Sequence, residues 1–121
     1  DMRTRRPNTG DLMDNSTMHS LEHMFATYIR NGDLKDSVVY FGPMGCQTGF
    51  YLLVRNADNA EVLRQVRLTL MKILAHEDPV FGASSRECGN YRNLSLAAAK
   101  TEAKRYLSEL DARPVTFQYK E

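Results

Sequence analysis

The fold is decided by residues 15–31, NSTMHSLEHMFATYIRN, and by residues 37–54, SVVYFGPMGCQTGFYLLV. In the first stretch, apolar side chains from Met18 to Ile29 recur at the spacing of one helix face, and Asn31 followed by glycine is a typical helix end. In the second stretch, two runs of β-branched and aromatic residues flank a loop containing glycine and proline, which predicts a strand, a tight loop and a second strand. The two stretches therefore predict a helix followed by a β-hairpin.

Two more helices are predicted further along the chain. Asp58 and Glu61 form a capping-box pattern before apolar residues at helical spacing, and this helix is expected to end at residues 76–79. A third apolar series runs from Leu94 to Leu110 and is expected to end by residue 114. Asn15 or Ser16 is expected to cap the first helix. Short strands are expected in the first few residues and at Val115 to Tyr119.

The amino-acid composition limits the classes of function that are expected. The 121 residues hold 16 Lys and Arg against 15 Asp and Glu, a net charge of +1, with 42% hydrophobic residues. This suffices for one core, so a single domain over residues 1–121 is predicted. The balanced charge disfavours nucleic-acid binding, and the longest apolar run, residues 50–54, is far shorter than the roughly 20 residues that cross a bilayer. Two cysteines are too few for a disulfide framework, which favours the cytoplasm.

The group His19-Ser20-Leu21-Glu22-His23 is the most informative part of the first helix. Two imidazoles four residues apart lie on one helix face and can bind one metal ion, while Glu22 can reach a metal-bound water or a substrate. The ordered His-x-x-Glu-His grouping is the reversed zincin pattern of metal-assisted hydrolysis. The alternative is two surface histidines beside an ordinary helical glutamate.

The two cysteines are candidates for different roles. A catalytic metal usually has three protein ligands, and Cys88 is a candidate for the third. Cys46 lies in a glycine-containing loop between strands, where reactive groups are often displayed, and a cation such as Arg3 beside it would lower the pKa of its thiol. The alternatives are two buried cysteines or a Cys46–Cys88 disulfide.

Three blocks taken together resemble the LuxS family of S-ribosylhomocysteine lyases. They are the histidine helix at residues 19–23, the loop and strand at Gly42 to Tyr51, and Glu87-Cys88-Gly89-Asn90-Tyr91-Arg92. The resemblance implies an α+β fold with an antiparallel sheet covered by helices, an α-β sandwich similar to that of metallohydrolases. It also implies that His19, His23 and Cys88 bind one divalent metal, iron(II) in the cell and zinc or cobalt in preparations.

The resemblance further implies a reaction and its residues. S-ribosylhomocysteine is cleaved at its thioether to homocysteine and 4,5-dihydroxy-2,3-pentanedione, the precursor of the quorum-sensing signal autoinducer-2, in a branch of the activated methyl cycle. Glu22 and Cys46 act as general acids and bases on opposite sides of the substrate, and Arg3 holds the substrate and favours the Cys46 thiolate. Members are homodimers.

This sequence departs from the family pattern at several positions. Tyr40 and Gly42 stand where many members have an acidic residue and a serine, and Arg6 stands where glutamine is common. Members also have a longer N-terminal stretch, so the N-terminal part of the fold is expected to be missing here.

Two other functions remain open on the residues alone. A small metallopeptidase-like hydrolase would use Glu22 to activate water and take its third metal ligand from a later helix, where Glu102 is the candidate. A non-enzymatic metal-binding dimerisation module would hold a structural ion on His19, His23 and Cys88. A fourth ligand for such an ion is not obvious, because His76 is expected at a solvated helix end.

Overall fold

The computed structural model describes residues 1–6, 8–82 and 94–112. These residues form a three-stranded antiparallel sheet and three helices, so the predicted α+β class is confirmed. In chain order the elements are β1 (Met2–Arg3), α1 (Asn15–Arg30), β2 (Val38–Pro43), β3 (Gly49–Val54), α2 (Asn59–Ala75) and α3 (Leu96–Ala112). The expected strand at Val115 to Tyr119 lies outside the described residues.

The capping residue of helix α1 lies one position earlier than the sequence predicts. Asp14, rather than Asn15 or Ser16, has the extended backbone of a cap, and its carboxylate accepts a hydrogen bond of 2.7 Å from the Thr17 amide. Any of the three side chains can cap a helix; the backbone of the preceding loop decides which one is not yet helical. Asp58 caps α2 in the predicted way, accepting from the Glu61 amide at 2.8 Å.

The sheet order is β1-β3-β2, with β3 in the centre. Met2 pairs with Phe50 and Arg3 pairs with Gly49, so the first residues form the strand end that the sequence predicts. Gly49 allows this pairing, because a Cβ there would overlap the backbone carbonyl oxygen of Met2. The close approach brings Arg3 onto the loop that joins β2 to β3.

The core lies between the sheet and the helices. Phe41 of β2 stacks on Phe25 of α1 with ring centroids 4.6 Å apart, and on Phe50 of β3 with centroids 5.2 Å apart. Helix α1 contacts β2, α2 and α3. Its buried residues are Ser20, Leu21, Met24, Phe25 and Ile29. Because this stripe packs into the core, the neighbouring face with His19, Glu22 and His23 is left half-buried.

The opposite face of the sheet carries exposed apolar side chains. Tyr40 of β2 and Tyr51 and Leu53 of β3 are 47%, 43% and 52% exposed.

Among the described residues, no helix is long and apolar enough to cross a membrane.

Candidate active site

The two histidines of α1 lie side by side. The ring centroids of His19 and His23 are 4.6 Å apart with an interplanar angle of 85°, an edge-to-face pair. Burial, and then the proximity of His23, lowers the pKa of His19. A lowered pKa favours the neutral imidazole, which is the form that binds metal ions.

The ring of His23 is oriented by a backbone carbonyl. Its Nδ1 lies 2.7 Å from the carbonyl oxygen of Phe81, in the segment that follows α2. A carbonyl oxygen only accepts, so Nδ1 carries the hydrogen of the neutral ring and Nε2 keeps its lone pair. Metal-binding histidines are typically held in this way, with the second nitrogen donating to a carbonyl or carboxylate. The donor set of α1 therefore fits a divalent metal.

A cleft of about 390 Å³ opens beside this helix face. Glu22 and His23 line it together with Ala26 and Phe41. Arg30, which the sequence analysis did not single out, also lines the cleft and supplies a positive charge. Its position two turns after His23 on the same helix was a signal in the sequence.

Cys46 is an exposed free thiol held by two neighbours. Its Sγ lies 2.9 Å from the Thr48 hydroxyl and 3.6 Å from Nη1 of Arg3. The same Arg3 nitrogen donates to the Thr48 hydroxyl oxygen, and the hydroxyl hydrogen can be donated to the sulfur when the sulfur is ionised, because a thiolate only accepts. Hydrogen bonds from Thr48, followed by the Arg3 guanidinium, lower the pKa of Cys46 to about 7. The expected proximity of Arg3 is present, and Thr48 is a further residue that sequence reasoning missed.

The loop that carries Cys46 is attached to the start of α1. The Met13 amide donates to the Gln47 carbonyl at 3.0 Å, and the Gln47 side chain donates to the Met13 carbonyl at 3.0 Å and to Asn15 at 3.2 Å. At 1.5 Å per residue, Glu22 lies roughly 10 Å further along the helix axis than Asn15. Cys46 and Glu22 are therefore anchored to one rigid element.

The third expected metal ligand, Cys88, lies outside the described residues. Within residues 1–6, 8–82 and 94–112, no group of three His, Cys, Asp or Glu side chains is arranged to hold a metal ion. Glu102, the alternative third ligand, is fully buried, and its two carboxylate oxygens accept hydrogen bonds of 3.0 and 2.9 Å from Arg5. Both oxygens are engaged, which disfavours the metallopeptidase arrangement.

The expectation for His76 was wrong. The residue is 8% exposed rather than solvated, because its ring packs between Tyr28 and Phe81. The sequence pattern marked the end of α2 correctly, but the segment after the helix folds back onto α1 and covers the ring.

Tyr40 and Gly42 are structurally coupled. The Tyr40 side chain lies over Gly42, and a Cβ at that position would overlap the tyrosine hydroxyl. The tyrosine ring therefore occupies the space that a side chain at position 42 would require.

The fold and this site define a small α+β protein in which a helix with two adjacent histidines and a glutamate is joined to a loop that carries a cysteine of lowered pKa. The family model described as S-Ribosylhomocysteinase (LuxS) matches residues 1–115. The chain belongs to the LuxS family, and the resemblance noted in the sequence is confirmed.

Curated relatives agree with this assignment. The chain is 38% identical over 113 residues to the S-ribosylhomocysteine lyase of Borrelia garinii subsp. bavariensis, covering 92% of this chain and 72% of the relative. It is 40% identical over 112 residues to the S-ribosylhomocysteine lyase of Clostridium beijerinckii, covering 91% and 70%. The S-ribosylhomocysteine lyase of Desulfotalea psychrophila is 38% identical over 112 residues, with the same coverage of 91% and 70%.

Proposed function

We propose that this chain is a divalent-metal-dependent S-ribosylhomocysteine lyase that forms homocysteine and 4,5-dihydroxy-2,3-pentanedione. The observation that carries the proposal is the Cys46 loop, which joins a thiol of lowered pKa to the helix of His19, Glu22 and His23. Family membership supplies the substrate class. The two products together contain all the atoms of the substrate, so the reaction needs no oxidant, reductant or water.

His19, His23 and Cys88 would hold the metal ion. The hydrogen bond from His23 to the Phe81 carbonyl supports this assignment, because it leaves Nε2 as the free donor atom. A bound divalent ion supplies a Lewis acid for the carbonyl and hydroxyl oxygens of the sugar. Two imidazoles and a thiolate suit iron(II), zinc and cobalt alike, and we propose iron(II) in the cell.

Cys46 and Glu22 would move the protons. Two enolisations shift the sugar carbonyl along the carbon chain, and each requires a base to take a carbon-bound proton and an acid to return one. The Cys46 thiolate takes and returns protons at one side of the substrate, and the Glu22 carboxylate does so at the other. A final proton removal expels the homocysteine thiolate by β-elimination.

Arginines would bind and orient the substrate. Arg3 stabilises the Cys46 thiolate and contacts the sugar, since it reaches both Cys46 and Thr48. Arg30 lines the same cleft as Glu22, and its charge suits the carboxylate of the homocysteine moiety. These contacts would align the sugar carbons with the two bases.

We further propose that the enzyme is a homodimer of the cytoplasm. A second copy would cover the sheet face with Tyr40, Tyr51 and Leu53, whose exposed apolar area is unusual for a face without a partner. The free Cys46 thiol suits a reducing compartment. Sedimentation of the wild type against Leu53→Glu tests the dimer, which the introduced charge is expected to weaken.

A thiol-release assay tests the activity. Metal-loaded wild type is expected to release homocysteine from S-ribosylhomocysteine, while Cys46→Ala and Glu22→Ala, each lacking one acid–base residue, are expected to lose at least about a hundredfold in rate. Glu77→Ala is the control, because Glu77 is an exposed residue after α2.

Three outcomes separate the functions left open by the sequence. Metal-loaded wild type that releases no thiol overturns the lyase proposal. If the same protein hydrolyses peptides, the metallopeptidase function replaces the lyase proposal. If it only binds metal, the non-enzymatic dimerisation module replaces it. Metal content that is unchanged in Cys88→Ala excludes Cys88 as a ligand.

A further inference from the structure

The segment after α2 holds the Phe81 carbonyl against His23, and its own anchor is His76. The His76 amide closes α2 by donating to the Ile73 carbonyl at 3.1 Å. The His76 ring Nε2 lies 3.1 Å from the Pro79 carbonyl oxygen, and Nδ1 lies 2.7 Å from the Tyr28 hydroxyl. One buried ring thus contacts the segment and α1 together.

These partners determine the tautomer of His76. The Pro79 carbonyl only accepts, so Nε2 carries the hydrogen, and Nδ1 then accepts from the Tyr28 hydroxyl. In this tautomer both ring nitrogens have a hydrogen-bond partner. If His76 is replaced by a side chain that has no donor and no acceptor, the Tyr28 hydroxyl and the Pro79 carbonyl both lose their hydrogen bond to the ring.

Three rings support the same arrangement. Phe81 packs edge-to-face on His76 with centroids 4.7 Å apart and on Tyr28 with centroids 5.1 Å apart, and Tyr28 lies 5.8 Å from His76. Tyr28 is five residues after His23 on α1. The helix that presents His23 therefore also anchors the segment whose carbonyl orients it.

We propose that His76 is a positioning residue which, through the Phe81 carbonyl, fixes His23 with Nδ1 protonated and Nε2 free, and thereby sets the affinity for the divalent metal. The inference rests on the proposed metal-dependent function. It adds a residue 53 positions away from His23 in the chain, on a different element. A purely structural role for His76 would affect the stability of the fold without selecting the His23 tautomer.

Two measurements test this role. Histidine ¹⁵N NMR of the metal-free protein near pH 8 reports which nitrogen of His23 carries the hydrogen, and competition with a chelator reports the affinity for Zn²⁺. In His76→Phe, which keeps a ring but loses both hydrogen bonds, the Nδ1–H form of His23 is expected to fall. The Zn²⁺ affinity is expected to fall about tenfold or more.

Matched variants separate positioning from general stability. His76→Gln keeps a donor and an acceptor and is expected to recover most of both readouts. Val66→Ala removes buried apolar volume from α2 away from this segment, so it is expected to lower the melting temperature while leaving the His23 tautomer and the Zn²⁺ affinity unchanged. If His76→Phe does not fold, Tyr28→Phe takes its place, with a smaller shift expected in the same direction.

The inference is overturned if folded His76→Phe, or Tyr28→Phe in its place, keeps both the wild-type His23 tautomer and the wild-type Zn²⁺ affinity. Wild type that binds no Zn²⁺ or Co²⁺ overturns the proposed metal dependence instead. The tautomer measurement needs no metal and decides the positioning role separately.

Discussion

Arg5 and Glu102, which are 97 positions apart in the chain, form a two-pronged ion pair. Nε and Nη2 of Arg5 donate to the two Glu102 oxygens at 3.0 and 2.9 Å, and Nη1 donates to Asp11 at 2.7 Å. The Glu102 side chain is 1% exposed and that of Arg5 is 18% exposed. The pair ties the N-terminal segment that carries Arg3 to the last described helix.

Removing the charge of Glu102 is expected to destabilise the fold. In Glu102→Gln, the Arg5 guanidinium loses the more buried of its two charged partners and keeps Asp11, and breaking such a buried pair costs about 3 kcal/mol. Urea unfolding followed by circular dichroism measures the loss. Arg64→Gln is the control, because Arg64 pairs with Glu61 on the surface, where ion pairs contribute little.

The same variant tests the proposed metal-ligand set. Because Arg5 engages both oxygens of Glu102, folded Glu102→Gln is expected to bind as much Zn²⁺ as the wild type. A large loss of metal from the folded variant would instead favour Glu102 as a ligand.

Cys46 is expected to titrate with a pKa of about 7. The rate of alkylation by iodoacetamide follows the thiolate, so it should rise with pH through this value and level off above it. In Thr48→Val the hydroxyl that donates to the sulfur is lost, and the pKa should move upward toward the ordinary thiol value of 9.0. Lyase activity near neutral pH should fall with it.

Thr48→Ser is the matched control, since serine keeps the hydroxyl. A Thr48→Val protein whose alkylation profile matches the wild type would contradict the role of the hydroxyl. Arg3→Met, which removes the second stabilising group, is expected to raise the Cys46 pKa by a smaller amount, because Thr48 contributes the larger effect.

Gly49→Ala is expected to separate β1 from β3. The added methyl group would overlap the Met2 carbonyl oxygen, and backbone cannot move aside as a surface side chain does. We expect a loss of about 2 kcal/mol in the free energy of unfolding and a raised Cys46 pKa, since Arg3 moves with β1. Gly45→Ala is the control in the same loop, because nothing lies within 4 Å of a Cβ there. Equal stabilities of the two variants would contradict the close approach.

Asp14→Ala is expected to weaken α1 by about 1 kcal/mol near neutral pH, the usual cost of losing a cap. Hydrogen bonds from the Thr17 amide and hydroxyl lower the pKa of Asp14. The ionised cap therefore stabilises the fold above the pKa of the unfolded chain, and this contribution is lost as the pH falls through the folded value. Unfolding measured from pH 7 to about pH 2 should show the difference from wild type shrinking, while Asp14→Asn should keep a cap that does not titrate.

The helices and the hairpin were predictable because each is specified locally. Apolar spacing and the Asp58 cap predict α1 and α2 within one or two residues of their observed bounds. The helix α3 was expected from Leu94 and begins at Leu96. The cap of α1 was misassigned because Asp14, Asn15 and Ser16 are all suitable residues, and only the path of the preceding loop distinguishes them.

The candidate site was predictable to the extent that its chemistry is written in short motifs. The spacing of His19, Glu22 and His23 specifies one face of a helix, and the glycines around Cys46 specify a loop. Thr48 and the His76 anchor were missed because Arg3 and Tyr28, which they contact, come from other elements, whereas Arg30 lies on the same helix as His23 and could have been found from its spacing. Sequence spacing carries no information on which carbonyl meets His23.

The sequence by itself determined the helices, the hairpin and the family, because periodicity and motifs are properties of neighbouring residues. Only the tertiary structure decided that Glu102 forms an ion pair with Arg5, that Arg3 and Thr48 both contact Cys46, and that His76 is buried against Tyr28. These pairings join residues distant in the chain. They depend on how the sheet and helices pack, which sets the burial and the hydrogen-bond partners that shift a pKa or select a tautomer.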